Sequence, residues 1–149
     1  YTFYYPGFNL RSTDLQAFLG RSQLKKLDEI IDVRERNFRL YESALSDFFT
    51  QTGPSERLSS FAYGTFVENR LEVFNHLTEQ QIECRPLICG NIGRHPFWTL
   101  ENGSCNLPNA DKVHDHGIYL PNHSNLSPLD VERVSEEFKS VAKAYSVTE

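Results

Sequence analysis

Apolar residues recur at Leu24, Leu27, Ile31, Phe38, Tyr41, Leu45 and Phe48, separated by threes and fours, with Arg34 as the one interruption. Charged residues such as Lys25, Asp28, Asp32, Glu35 and Glu42 fall off that stripe. This is the period of an amphipathic helix, and it predicts one long helix over about 13–50. Thr13 and Gln16 read as a capping box at its start, and Leu15, Ala17, Phe18 and Leu19 open its apolar face. Gly20 sits inside the pattern, where glycine costs about 1 kcal/mol against alanine. Close packing or a bend is therefore expected there. An isolated coiled coil is the rival reading, but Arg34 breaks so short a seam, which favours a helix lying along a domain. Gly53-Pro54 ends the helix.

The period then changes. Residues 61–67 alternate aromatic and small side chains, the pattern of a strand. Asn69 and Glu72 are placed to cap a short helix reaching about Gln80. A second strand is expected over 82–88, followed by a long Gly-, Asn- and Pro-rich loop over 89–108. A short helix over about 109–115 and a brief strand over 118–120 come next. Ser127-Pro128-Leu129-Asp130 starts the last helix, with Pro at its first position and an acid in its first turn. Val131, Val134, Phe138, Val141 and Tyr145 form its buried stripe. The fold class is α/β, more narrowly an α+β fragment. A lead-in and long helix occupy 1–50, and a small sheet packed with helices occupies 51–149.

Composition narrows the functional classes. A chain of 149 residues that is 39% hydrophobic can build a core, which excludes global disorder. Tyr1, Phe3, Tyr4, Tyr5 and Phe8 crowd the start, and clustered rings of this kind mark a contact surface. Net charge is −5, and the cations are scattered rather than striped, which argues against nucleic-acid binding. No apolar run approaches the roughly 20 residues needed to cross a bilayer as a helix. Cys84, Cys89 and Cys105 are odd in number and lack a paired framework, as in a reduced, cytoplasmic protein.

Candidate chemistry gathers in three places. In 7–20, Asn9 and Arg11 set an amide and a guanidinium just ahead of a helix start, where backbone N–H groups favour a phosphate or carboxylate. The bland readings are a turn asparagine and an arginine paired with Asp14. Arg85 is a cation in an otherwise apolar predicted strand, facing either a ligand or water. In the loop, Asn91, Arg94 and His95 offer contacts to a polar substrate; a structured surface loop is the alternative. His114 and His116 lie two apart, but no cysteine or carboxylate completes a zinc spacing, so no metal is expected. A cysteine nucleophile, Cys84 or Cys89 with His95, has no motif behind it.

The stretch Gly7-Phe-Asn-Leu-Arg-Ser-Thr-Asp-Leu-Gln-Ala-Phe-Leu-Gly20 resembles the G-[YF]-N-x-R-x-T-x-x-Q-A-x-x-G segment of the DegT/DnrJ/StrS sugar aminotransferases. Gln23-Leu24-Lys25-Lys26-Leu27-Asp28-Glu29, Ile82-Glu83-Cys84-Arg85-Pro86 and Gly117-Ile118-Tyr119-Leu120-Pro121-Asn122-His123 follow in that family's order. The resemblance implies a pyridoxal phosphate (PLP) enzyme acting on nucleotide-linked 4-keto-6-deoxy sugars, in polysaccharide or O-antigen precursor synthesis. It implies the small C-terminal domain of a fold-type-I PLP enzyme and a homodimer. Asn9 then binds the PLP phosphate of the neighbouring subunit, and Arg11, Arg85, Asn91, Arg94 and His95 face substrate. His123 falls in a segment that is structural in the family. Gly90-Asn91-Ile92-Gly93-Arg94-His95-Pro96 resembles the loop of the sugar 3-dehydratase subgroup more than that of ordinary aminotransferases. In the family the PLP-linked lysine, replaced by histidine in the dehydratases, precedes the Gly7–Gly20 segment. The chain starts at Tyr1 and contains no methionine. It is expected to be the C-terminal portion of a longer enzyme, inactive alone and lacking the PLP-bearing large domain. A dimerisation or binding module without enzymatic activity is the alternative.

Overall fold

The computed structural model describes residues 12–50 and 57–146. Two helices open the described chain, α1 (Asp14–Leu24) and α2 (Leu27–Ala44). They are followed by β1 (Ala62–Phe66), α3 (Arg70–Glu79), β2 (Arg85–Pro86), a 3₁₀ turn at Ile92–Arg94, α4 (Pro96–Asn102), α5 (Pro108–His116), β3 (Gly117–Pro121) and α6 (Pro128–Val141). The strands form one antiparallel sheet in the order β1-β3-β2. The expected α/β class, a small sheet packed with helices, is what the chain adopts.

The central strand β3 pairs Leu120 with Tyr63, Tyr119 with Gly64 and Ile118 with Thr65. Alternation then sends Tyr63, Thr65, Ile118 and Leu120 to one face, and all four are buried. Helices α2, α3 and α6 close the core with Phe38, Tyr41, Val73, Leu77, Val131 and Phe138. Tyr41 and Tyr63 stack at 5.0 Å, and the Tyr41 hydroxyl donates to the Pro121 carbonyl at 2.9 Å. Each such buried side chain contributes about 1.5–3 kcal/mol through area removed from water.

The single long helix is not observed. It breaks at Lys25-Lys26, where the Lys26 N–H turns back to the Gln23 carbonyl, and α2 begins without a side-chain cap. Gly20 lies within the continuous helix α1, and among the described residues nothing stands within 4 Å of where its Cβ would be. α2 stops at Ala44 because Leu45 leaves helical geometry and buries its side chain.

The predicted strand 82–88 shrinks to Arg85–Pro86, since Pro86 has no N–H to extend the ladder. The predicted loop 89–108 holds the 3₁₀ turn and α4, which has Pro96 in its first turn and Gly103, at φ +74°, as its C-cap. That Pro-to-Gly spacing is itself a helix signal. Asn69 occupies the N-cap of α3 but does not cap it. Its amide instead donates to Glu72 and the Val141 carbonyl and accepts the Lys143 N–H, holding the segment after α6. Tyr145 lies beyond α6, with its ring 4.3 Å from that of His116.

Candidate functional site

A cleft of about 440 Å³ lies beside β2, with Arg70, Arg85, Gly90, His95 and His114 among its walls. Three elements meet there. β2 holds Arg85 opposite Tyr119 of β3. Arg70, the first residue of α3, donates from Nη1 to the His114 and Gly117 carbonyls at the end of α5. The loop after β2 supplies Gly90 and His95.

The loop is tightly built. Asn91 is 1% exposed; its Nδ2 donates to Asp111 Oδ1 at 2.8 Å and its Oδ1 accepts the Gly93 N–H at 2.8 Å. Its backbone N–H donates to His114 Nδ1 at 3.2 Å. Gly90 has φ +64°, and a Cβ there would sit 2.5 Å from His114 Nδ1, so only glycine lets the chain pass. A Cβ on Gly93 would meet Cys105 Sγ at 2.1 Å.

Arg94 bridges two acids on α5, reaching Asp115 at 2.9 Å and Asp111 at 3.4 Å. The hydrogen bond from Arg94 holds the Asp115 carboxyl below the usual carboxylate range. The His95 ring contacts the Cys89 carbonyl through Nε2 at 3.0 Å. A carbonyl only accepts, so Nε2 carries the proton and Nδ1 is the nitrogen left for another partner. Arg85 points Nε and Nη2 at Glu83 Oε1, at 3.1 and 2.6 Å, and is half-exposed or more, which leaves the Nη1 donors.

The structure thus brings Arg85 and His95 to one cleft and sets Asn91 behind its wall as the loop's internal brace. Arg94 is engaged by α5. Asn9 and Arg11 lie outside the described residues. Arg70 and His114, two of the cleft's walls, were not singled out for it from the sequence. An arginine at a helix start and a histidine near a helix end carry no local signature of a shared cleft. His114 and His116 do not converge: His116 Nδ1 meets the Val67 carbonyl at 3.1 Å. Among the described residues no group of three His, Cys, Asp or Glu is placed to hold a metal. Burial pushes the Cys84 thiol up to about 11, against nucleophilic use, and it is the carbonyl of Cys89 that His95 contacts. His123 accepts the Asn125 N–H at 3.2 Å, a local turn contact. Arg85 also borders a second cleft, of about 420 Å³, walled by Phe61 and Tyr119.

Comparison with known proteins follows the same lines. Residues 1–139 match the DegT/DnrJ/EryC1/StrS aminotransferase family. The chain is 28% identical over 137 residues to a GDP-4-keto-6-deoxy-D-mannose 3-dehydratase of Yersinia pseudotuberculosis, covering 83% of this chain and 34% of the relative. It is 35% identical over 156 residues to a dTDP-4-dehydro-2,6-dideoxy-D-glucose 3-dehydratase of Saccharopolyspora spinosa, covering 97% of this chain and 34% of the relative. The chain therefore spans about a third of the length of these curated relatives. Among solved structures, the Escherichia coli GDP-4-keto-6-deoxy-D-mannose 3-dehydratase with bound hydrated PLP superposes with a TM-score of 0.79. It does so at 24% identity, over 93% of this chain and 38% of that one, a likeness of fold. With the match running from the Gly7–Gly20 segment through the loop and cleft to α6, the chain belongs to the DegT/DnrJ/EryC1/StrS aminotransferase family.

Proposed function

We propose that this chain is the C-terminal part of a PLP-dependent enzyme acting on nucleotide-linked 4-keto-6-deoxy sugars, within the 3-dehydratase subgroup. Family membership over residues 1–139 carries the reading. The dehydratase assignment draws on the Gly90–Pro96 loop and on the names of the two relatives above. The whole enzyme works as a cytoplasmic homodimer in polysaccharide precursor synthesis.

Bound PLP supplies an electron sink for breaking bonds beside the keto carbon. Asn9, the residue aimed at its phosphate, lies outside the described residues, and the described residues contribute the sugar-nucleotide side of the site. Arg85 offers Nη1 donors to an anionic or hydroxyl-bearing ligand. His95, with Nε2 on the Cys89 carbonyl, presents Nδ1. Asn91 and Arg94 hold the loop so that both groups stay in place. The large domain of the same enzyme brings the group that moves the proton.

The test is turnover by the full-length enzyme supplied with PLP, glutamate and a GDP- or dTDP-linked 4-keto-6-deoxy sugar, with products read by mass. The expected result is loss of the C3 hydroxyl, with Arg85→Gln lowering turnover at least tenfold. A 4-amino product moves the chain to the aminotransferase subgroup, and no change in either substrate overturns the reading. The non-enzymatic alternative gains weight from the exposed apolar face of α1. It predicts a stable dimer of this chain in sedimentation whose formation is lost on Phe18→Glu.

A further inference from the structure

His95 in the Gly90–Pro96 loop, His114 beside it and His116 two residues on make hydrogen bonds that differ in kind. His95 and His116 each meet a backbone carbonyl, so each donates, and each keeps its bond when protonated. His114 meets a backbone N–H, from Asn91, at Nδ1. An N–H can only donate, so His114 Nδ1 must be bare and the ring neutral, with its proton on Nε2. A proton on Nδ1 would set two N–H groups against each other across 3.2 Å.

We infer that His114 is a positioning residue for this loop: its neutral ring holds Asn91, and so His95, at the cleft, and protonation of the ring releases them. Several observations converge on it. Gly90 passes so close that a Cβ would strike the ring. Asn91 is fully buried and braces Gly93, one residue before Arg94. The His95 and His114 rings lie 6.3 Å apart on the cleft. Arg70 fixes the backbone of His114 itself through its carbonyl. The charged and titratable groups on the elements around it are Asp111 and Asp115 on its own helix, Arg94 of the 3₁₀ turn bonded to both, and Arg70 of α3, Arg85 of β2 and His95, which share its cleft. The assignment does not depend on what occupies the cleft. Its consequence for substrate rests on the functional reading above.

The experiment is NMR on the full chain. Ring ¹⁵N shifts of His114 at pH 8 report the tautomer, and exchange protection factors of the Asn91 amide are followed as pH is lowered until the His114 ring is seen to protonate. The expected result is the Nε2–H tautomer, with Asn91 protection falling at least tenfold in step with His114 protonation. The Val67 amide, bonded to the His116 carbonyl, keeps its protection. His114→Phe, lacking an acceptor, loses Asn91 protection at every pH. His114→Gln keeps an acceptor and removes the pH dependence. Should the phenylalanine variant fail to fold, the wild-type tautomer and protection profile decide alone. An Nδ1–H tautomer, or Asn91 protection indifferent to the charge on His114, overturns the inference. Loop release without GDP or dTDP binding at any pH supports the role of His114 and counts against the substrate reading instead.

Discussion

Helices α1 and α6 begin alike and end differently. Each opens with a capping box: the Thr13 hydroxyl accepts the Gln16 N–H, and the Ser127 hydroxyl accepts the Asp130 N–H. Each carries an apolar stripe. In α6 that stripe is core, with Val131, Val134 and Phe138 buried against α2, α3 and the sheet. In α1 no residue is buried, and Leu15 and Phe18 are 68% and 71% exposed. Local chemistry is enough to start a helix and to sort its faces. Whether the apolar face stabilises the fold depends on a partner surface, which α6 has and α1, among the described residues, lacks.

The largest expected contrast is between two phenylalanines. Phe138→Ala should cost about 3–5 kcal/mol in urea unfolding, from lost burial plus a cavity among Phe48, Val131 and the sheet. Phe18→Ala should stay within about 0.5 kcal/mol. A penalty above about 2 kcal/mol at Phe18 would mean that α1 is covered in solution, and the contrast would fail.

The caps give a smaller effect. Ser127→Ala should lower global stability by about 1 kcal/mol, because α6 unfolds with the core. Thr13→Ala should reduce helicity by circular dichroism without moving the urea midpoint, because α1 frays separately. Equal shifts in midpoint would show the two helices to be coupled.

The smallest effect separates the boxes by pH. Hydrogen bonds from the Ser127 hydroxyl and N–H hold the Asp130 carboxyl below the usual carboxylate range. Its folded value lies below its unfolded one. The stabilisation is therefore present above the unfolded value, about 4, and is lost as pH falls through the folded value. Asp130→Asn should flatten that part of the stability profile at acid pH. The α1 box uses neutral Gln16 and should show no such limb, so Gln16→Ala should leave the profile's shape intact.

Much of the framework was legible. Ser127-Pro128-Leu129-Asp130 announces a helix because every signal in it is local: a hydroxyl acceptor, a proline that needs no N–H, and an acid within one turn. The strand at Gly117–Pro121 was expected, one residue shorter at each end. The break at Lys25-Lys26 was not, because helical spacing continues across it and, among the described residues, α1 buries none of its own. Asn69 was misread as a cap because two of its three partners, Val141 and Lys143, are more than seventy residues away. In the cleft, Arg85 stood out as a cation in an apolar run, and His95 as a member of a distinctive loop. Arg70 and His114 did not, since their roles arise from carbonyls and N–H groups delivered by other elements.

Periodicity, caps and turn residues were thus sufficient to place α3, α5, α6 and the strands near β1 and β3, because each depends on neighbours within a few positions; the family segments were read separately, from their motifs. Which apolar faces find a partner, what Asn69 and Asn91 hydrogen-bond to, and which backbone groups meet the rings of His95, His114 and His116 were settled only by folding. Those outcomes depend on groups brought together across 23 residues at His114 and Asn91 and across 74 at Asn69 and Lys143, distances over which no local pattern operates.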